Sequence, residues 1–178
     1  MSIQLSGIVE YININTAAFT VAIEKNLKDL VRRAAIEFLK SAAPRVRIRT
    51  GFAHGAFGVL ADTLGVSLPP GTPGTSPRKG GEYYRDLGGR VRKNPTSGQQ
   101  FTTPSSVIFD LDKNGNVTFK FDIDIAYFRK NDTVGHRGYP AWDSYREGVF
   151  AFYQYINTHL EEVVPNIQDY TTVVKTNF

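Results

Sequence analysis

The residues with the most chemical promise form a short run, Asp110-Leu111-Asp112-Lys113-Asn114-Gly115. Oxygen-bearing side chains at alternate positions before a glycine open the ligand loop of helix-loop-helix calcium sites. Such a loop also needs a bidentate Glu at its twelfth position and a helix on each side. Here the twelfth position is Phe121, and both flanks alternate apolar with polar, as strands do. A hairpin turn accounts for every residue of the run, so it is read as a turn and no metal site is assigned. Asp110, Asp112, Asp122 and Asp124 then fall on one strand face, where close carboxylates would suit general acid–base work. The reading adopted is a solvated or subunit-facing acidic surface.

No other constellation carries chemistry. His54, His136 and His159 lie in different elements without ligand spacing and are read as surface or capping residues. Neither a Gly-x-Ser-x-Gly elbow nor a phosphate-binding glycine loop ending in Lys-Ser/Thr is present. The chain has no cysteine, which excludes disulfides and thiolate chemistry. These observations predict a protein that is not an enzyme, with no catalytic residue, cofactor or metal.

Charge is concentrated rather than spread. Of the 178 residues, 21 are Lys or Arg and 17 Asp or Glu, for a net charge of +4. Residues 65–104 hold Arg78, Lys79, Arg85, Arg90, Arg92 and Lys93 against Glu82 and Asp86, which is the whole of that excess. The same segment carries six of the nine prolines and eight of the 16 glycines. Its composition predicts a long basic arm with no private core, able to reach an adjacent subunit or a ring lumen. Two targets suit its cations: the Asp110/Asp112/Asp122/Asp124 face of a neighbouring copy, and DNA, with Tyr83 and Tyr84 as stacking residues.

The elements that must position these groups are legible from periodicity. Ile23, Leu27, Leu30, Val31, Ala34, Phe38 and Leu39 form one helical stripe, which predicts a helix over 16–43 capped by Thr16 and ended by Pro44. Trp142, Tyr145, Val149, Phe152, Tyr153, Ile156, Leu160 and Val163 predict a second over 140–164, starting after Pro140 and ended by Pro165. Residues 3–15 read as an extended lead, either an edge strand or a swapped arm. Arg45 to Arg49 alternate around Val46 and Ile48 as a short strand or extended turn, and 51–64 as a short helix or a strand pair. A short strand is expected near 170–174. The clearest strands lie within 107–128. A two-residue turn at Asn114-Gly115 would set Leu111 opposite Thr118, apolar against polar. A three-residue loop, Lys113-Asn114-Gly115, pairs Leu111 with Val117 and Phe109 with Phe119, with Gly115 in a left-handed position.

The first helix runs into Ala42-Ala43-Pro44 and, after Arg45 to Arg49, into Thr50-Gly51-Phe52-Ala53-His54-Gly55-Ala56-Phe57. With the hairpin region and a second helix opened by Tyr139-Pro140-Ala141-Trp142, this order resembles the tail-completion (neck, or head-tail connector) proteins of long-tailed bacteriophages. The resemblance implies a structural virion protein, made in the host cytoplasm, that forms a ring, commonly of six copies, at the head-tail junction. There it would complete or terminate the tail and join it to the capsid connector. Implied partners are other copies, other neck, connector and tail-tube proteins, and genomic DNA passing through the lumen. A different class, a nucleic-acid-binding accessory protein using residues 78–93, is the alternative. No basic leader followed by an apolar run opens the chain, and no run approaches the ~20 apolar residues of a membrane span, so no membrane partner is expected.

One α+β domain over 1–178 is therefore predicted: a mainly antiparallel sheet carrying the hairpin, packed by two long amphipathic helices, with the Gly/Pro-rich basic arm at 65–104.

Overall fold

The computed structural model of the chain describes residues 8–48, 52–73, 92–93, 100–101, 105–112, 116–123, 125, 128–135 and 140–177. In chain order, β1 (Ile8–Ile14) leads into α1 (Thr16–Ala42), a 3-10 turn at Ala43–Arg45, β2 (Arg47–Ile48) and α2 (Phe52–Leu64). Then come β3 (Thr72–Pro73), β4 (Arg92–Lys93), β5 (Gln100–Phe101), and the hairpin strands β6 (Ser105–Leu111) and β7 (Val117–Ile123). Helices α3 (Phe128–Thr133) and α4 (Ser144–His159) follow, and β8 (Thr171–Asn177) is the last strand.

The class is α+β. Among the described residues the strands form four separate two-stranded ladders rather than one sheet: β1–β8, β4–β5 and β6–β7 are antiparallel and β2–β3 is parallel. The hairpin register pairs Leu111 with Val117 and Phe109 with Phe119. It is closed by Asp112 N–H donating to the Asn116 carbonyl at 3.0 Å, as a three-residue loop requires; the conformation of Gly115 lies outside the described residues.

Helix α1 begins one residue earlier than its sequence signal. Asn15, not Thr16, is the N-cap, its side-chain oxygen accepting from Ala18 N–H at 3.1 Å. Asn15 is itself pinned by its N–H to the Tyr170 carbonyl at 2.9 Å, so the better capping side chain is already in place. The apolar stripe is buried from Leu30 through Ala42, and Pro44 falls within the 3-10 turn that ends the helix.

Residues 52–64, open between a helix and a strand pair in sequence, form a helix. Ala53, Ala56, Phe57, Leu60, Ala61 and Leu64 are all buried. These six recur at helical spacing, but Gly55 and Gly58 weaken helix propensity and Phe52 and Val59 fall off the stripe, which leaves the segment open in sequence. Its end is set by Gly65 at φ +66°, with Val66 N–H reaching back to the Ala61 carbonyl at 3.0 Å, the 6→1 bond of a left-handed helix cap. Arg32 on α1 donates to the Leu64 carbonyl at 2.9 Å, adding a cation where the helix dipole is negative. The start of the expected arm is thus part of the domain: Val66 and Leu68 pack on the core, and Thr72 pairs with Arg47 in β3.

The second long helix starts later than Pro140 suggests. Residues 140–143 precede α4 and are held to α3 by Trp142 N–H on the Asn131 carbonyl and Asp143 N–H on the Asp132 carbonyl, at 3.2 and 2.9 Å. The capping carboxylate comes from α3. Buried Asp132 accepts from Ser144 N–H at 2.8 Å, from the Ser144 hydroxyl, and from Tyr145 N–H at 3.2 Å. Asp143, next to the helix, is left-handed at φ 53° and makes no side-chain cap.

Helices α1 and α4 run antiparallel. Gly148 meets Phe38 and Ala42, Arg33 pairs with Glu162 at 2.7 Å, and Asn26 donates to the Val163 carbonyl at 3.2 Å. Phe38 is the centre of the core. Its ring lies 6.5 Å from Phe57 of α2, 6.3 and 5.9 Å from Phe119 and Phe121 of β7, and 5.6 Å from Tyr145 of α4. Phe152 stacks on Phe119 at 5.5 Å, so both helices cover the hairpin's apolar face.

Two substitutions measure these contacts. A Cβ on Gly148 would sit 2.7 Å from two carbons of the Phe38 ring and 3.0 Å from Ala42 Cβ. The ring is hemmed in by four aromatics, so overpacking outweighs the ~0.5–1 kcal/mol that Ala gains in helix propensity. Gly148→Ala is expected to lower stability by about 1–3 kcal/mol, read as a shift of the urea midpoint. Asp132→Ala leaves the buried Ser144 N–H and hydroxyl unpaired and is expected to cost about 2 kcal/mol, with Asp132→Asn costing less; equal costs would show that the cap is not what matters.

Candidate interaction surfaces

The hairpin's polar face is mixed, not acidic. The register places Ser106, Ile108 and Asp110 of β6 beside Asp122, Lys120 and Thr118 of β7. Lys120 lies between the two carboxylates and its ammonium is 2.7 Å from Asp122. Asp110 and Asp122 stand four residues apart along the ladder, about 13 Å at ~3.3 Å per residue, too far to act as a pair. Asp112 is occupied at the hairpin end: its two oxygens accept from Asn116 N–H and Nδ2–H, each at 2.8 Å. Asp124 lies outside the described residues.

So do Arg78, Lys79, Arg85 and Arg90, and with them the proposed contact between arm and acidic face. Arg92 and Lys93 form β4, opposite Phe101 and Gln100 of β5. Of the histidines, His54 is a correction: it is buried in α2, and its Nε2 donates to the Pro69 carbonyl, a pure acceptor, at 2.7 Å. His159 stacks on Tyr155 with ring centroids 4.0 Å apart and Nδ1 2.9 Å from the Tyr155 carbonyl; His136 lies outside the described residues. Among the described residues no group of three His, Asp or Glu is placed to hold a metal, and no helix is long and apolar enough to cross a membrane.

Two surfaces carry large apolar side chains in solvent: one contains the extended lead that the sequence reads as an edge strand or a swapped arm, the other is not singled out there. The first is the ribbon of β1 and β8, seven residue pairs from Ile8↔Asn177 to Ile14↔Thr171. Ile12 and its cross-strand partner Val173 are 71% and 55% exposed, and Asn13 and Thr172 on the opposite face are exposed too. At 12–14 and 172–173, then, residues on both ribbon faces are exposed. The ribbon is tied to the body at its root by the Asn15–Tyr170 hydrogen bond and the Phe19–Tyr170 ring contact at 5.4 Å.

The second surface is the outer face of α4, a shallow groove lined by Phe150, Tyr153, Gln154, Asn157 and Thr158. Phe150 is 65% and Tyr153 61% exposed, and Leu160 beyond them is also exposed. Tyr153 and Leu160 were assigned to the core stripe, so the structure corrects them. The sequence signals the outer face only through Phe150, which lies off the stripe altogether.

Comparison of the chain with protein-family models, with curated proteins and with solved structures finds no match.

Tyr145 links core and surface. Its ring packs on Phe38 while part of it stays exposed. Burial first, then the Asp122 charge and Tyr153, push its phenol above the ordinary value near 10. The neutral form is favoured by folding, so this contribution is whole below pH ~10 and is lost as pH rises through the higher folded value. Wild type should therefore lose stability more steeply above pH 10 than Tyr145→Phe, compared by urea unfolding across pH. Parallel profiles would show that the phenol is not held neutral.

Proposed function

We propose that this chain is a structural, non-enzymatic subunit that assembles into a ring at the head-tail junction of a long-tailed phage, localised to the virion. The observation that carries the reading is the pair of uncovered apolar surfaces, the β1–β8 ribbon and the outer face of α4. Contiguous exposed apolar side chains with a polar rim mark surfaces that other proteins cover. A subunit that closes a ring needs two of them, because each copy touches two neighbours. The order of elements supports the phage assignment: a long helix ending at Ala42-Ala43-Pro44, a short strand, a second helix opening at Phe52, a hairpin and a further long helix. Other copies and neck, connector and tail-tube proteins are the partners this role calls for, and genomic DNA would pass through the lumen.

Microscopy decides it. Particles assembled in cells that express the chain, labelled with antibody against it, are expected to carry the label at the head-tail junction. Particles lacking the chain should appear as filled heads and separate tails. Label along the whole tail or over the capsid surface, or joined particles without the chain, would overturn the assignment.

A further inference from the structure

We infer that the β1–β8 ribbon of one copy seats in the groove on the outer face of α4 of the next copy, making one head-to-tail contact that repeats around the assembly. The proposal rests on the ring reading above and names its interface.

Position comes first. The ribbon springs from the start of α1 at Asn15. Along the antiparallel pair, Gly148 meets Phe38 and Ala42, and Tyr155 meets Arg33, so Tyr153 lies level with the middle of α1. About twenty residues of helix separate that level from Asn15, or about 30 Å at ~1.5 Å per residue. The two surfaces are therefore separate patches.

Shape comes second. The ribbon is two strands wide, and at 12–14 and 172–173 its residues on both faces are exposed, which makes it an insert. The α4 face is a groove with Phe150 and Tyr153 as apolar walls and Gln154, Asn157 and Thr158 as polar lining. Two-stranded ribbons are marginal by themselves in water, so a surface that covers this one also stabilises it. A two-fold contact of either surface with itself would leave the other bare. A reciprocal two-fold pair would cover both but close at two copies, whereas the ring reading calls for the one-way form. A head-to-tail contact covers both in every copy with a single kind of interface.

Area comes third. Exposures are 71% for Ile12, 39% for Ile14 and 55% for Val173 on the ribbon, and 65%, 61% and 54% for Phe150, Tyr153 and Leu160 on or beside the groove. With roughly 200 Å² for a whole aromatic side chain and somewhat less for an aliphatic one, these six offer about 650 Å² of apolar surface. Interfaces are ~57% apolar, so covering all of it would bury up to about 1,100 Å² in total. That clears the ~1,000 Å² expected of a specific interface.

The test uses the whole chain in two variants, Ile12→Lys/Val173→Lys in the ribbon and Phe150→Asp/Tyr153→Asp in the groove, studied by sedimentation and light scattering. All four side chains are exposed, so thermal unfolding midpoints close to wild type are expected for both. Wild type should form a closed oligomer. Each variant alone should be monomeric, with association at least tenfold weaker. Mixed in equal amounts, they should form a dimer and nothing larger, because one intact ribbon meets one intact groove. An oligomeric wild type whose two variants do not dimerise on mixing would overturn this interface and leave the ring reading standing. A wild type that stays monomeric at every concentration would also overturn it, while the particle labelling decides the neck reading separately. The absence of cysteine provides a second measurement that does not depend on the charged variants. Mixing Val173→Cys with Asn157→Cys under oxidising conditions should yield the mixed disulfide well above either homodimer. Equal yields of the three species would mean random collision and sink the proposal.

Discussion

The structure depends on the contact between the Phe38 ring and the bare backbone at Gly148. Phe38 touches aromatic rings from α2, β7 and α4, so three layers meet on one side chain. Each buried aromatic removes 150–250 Å² from water, and rings at these separations add edge-to-face attraction. The arrangement works only because α4 comes within van der Waals distance of that ring, and any side chain at 148 would stand in the way. From this point the helix pair runs as a beam. Arg33 holds Glu162 and lies over the Tyr155 ring at 5.8 Å, and Asn26 holds the Val163 carbonyl at the far end. The ribbon is mounted beyond that end.

What could be read from the chain alone follows from the range of the physics involved. The α1 stripe and the hairpin register are local patterns. Only a three-residue loop keeps Phe109 with Phe119 and Leu111 with Val117, so period two in both strands left one solution, and the ladder adopts it. The start of α4 was misread because its cap is Asp132, twelve residues before Ser144, while the nearby Pro140 gives a standard but false start signal. Helix α2 was ambiguous because Gly55 and Gly58 weaken helix propensity and Phe52 and Val59 lie off the stripe formed by Ala53, Ala56, Phe57, Leu60, Ala61 and Leu64. The two interaction surfaces were the least legible part. Pairing of β1 with β8 joins residues some 160 positions apart, and no local pattern encodes that partner. The acidic face was read from alternation alone, which counts carboxylates but misses Lys120 lying between Asp110 and Asp122.

If copies associate as proposed, the mixed hairpin face bears on which force would govern the contact. Among the described residues several surface charges are paired within the chain: Lys120 with Asp122, Lys40 with Glu37, Arg33 with Glu162, and Arg45 with Glu147. Exposed pairs of this kind are worth ~0–1 kcal/mol each and weaken further in salt. Ile12, Val173, Phe150 and Tyr153 have no such internal alternative for their exposed area. Burial of apolar surface at roughly 25 cal/mol per Å² exceeds what rearranging those ion pairs yields, so the apolar surfaces should set affinity and the charges orientation.

The ribbon also couples folding to association. Its root is fixed at Asn15, Phe19 and Tyr170, but its outer pairs extend roughly 20 Å further at ~3.3 Å per residue. With the root held by the body, each outer pair still costs the backbone ordering of two residues, which pairing in a two-stranded ribbon offsets only in part. A partner that binds the paired ribbon and not the separated strands stabilises the pairing by mass action. Assembly would therefore tighten the β1–β8 ladder while leaving the Phe38 core unchanged. The ladder is already paired over seven residues in the single chain, so covering it would reinforce an existing element rather than create one.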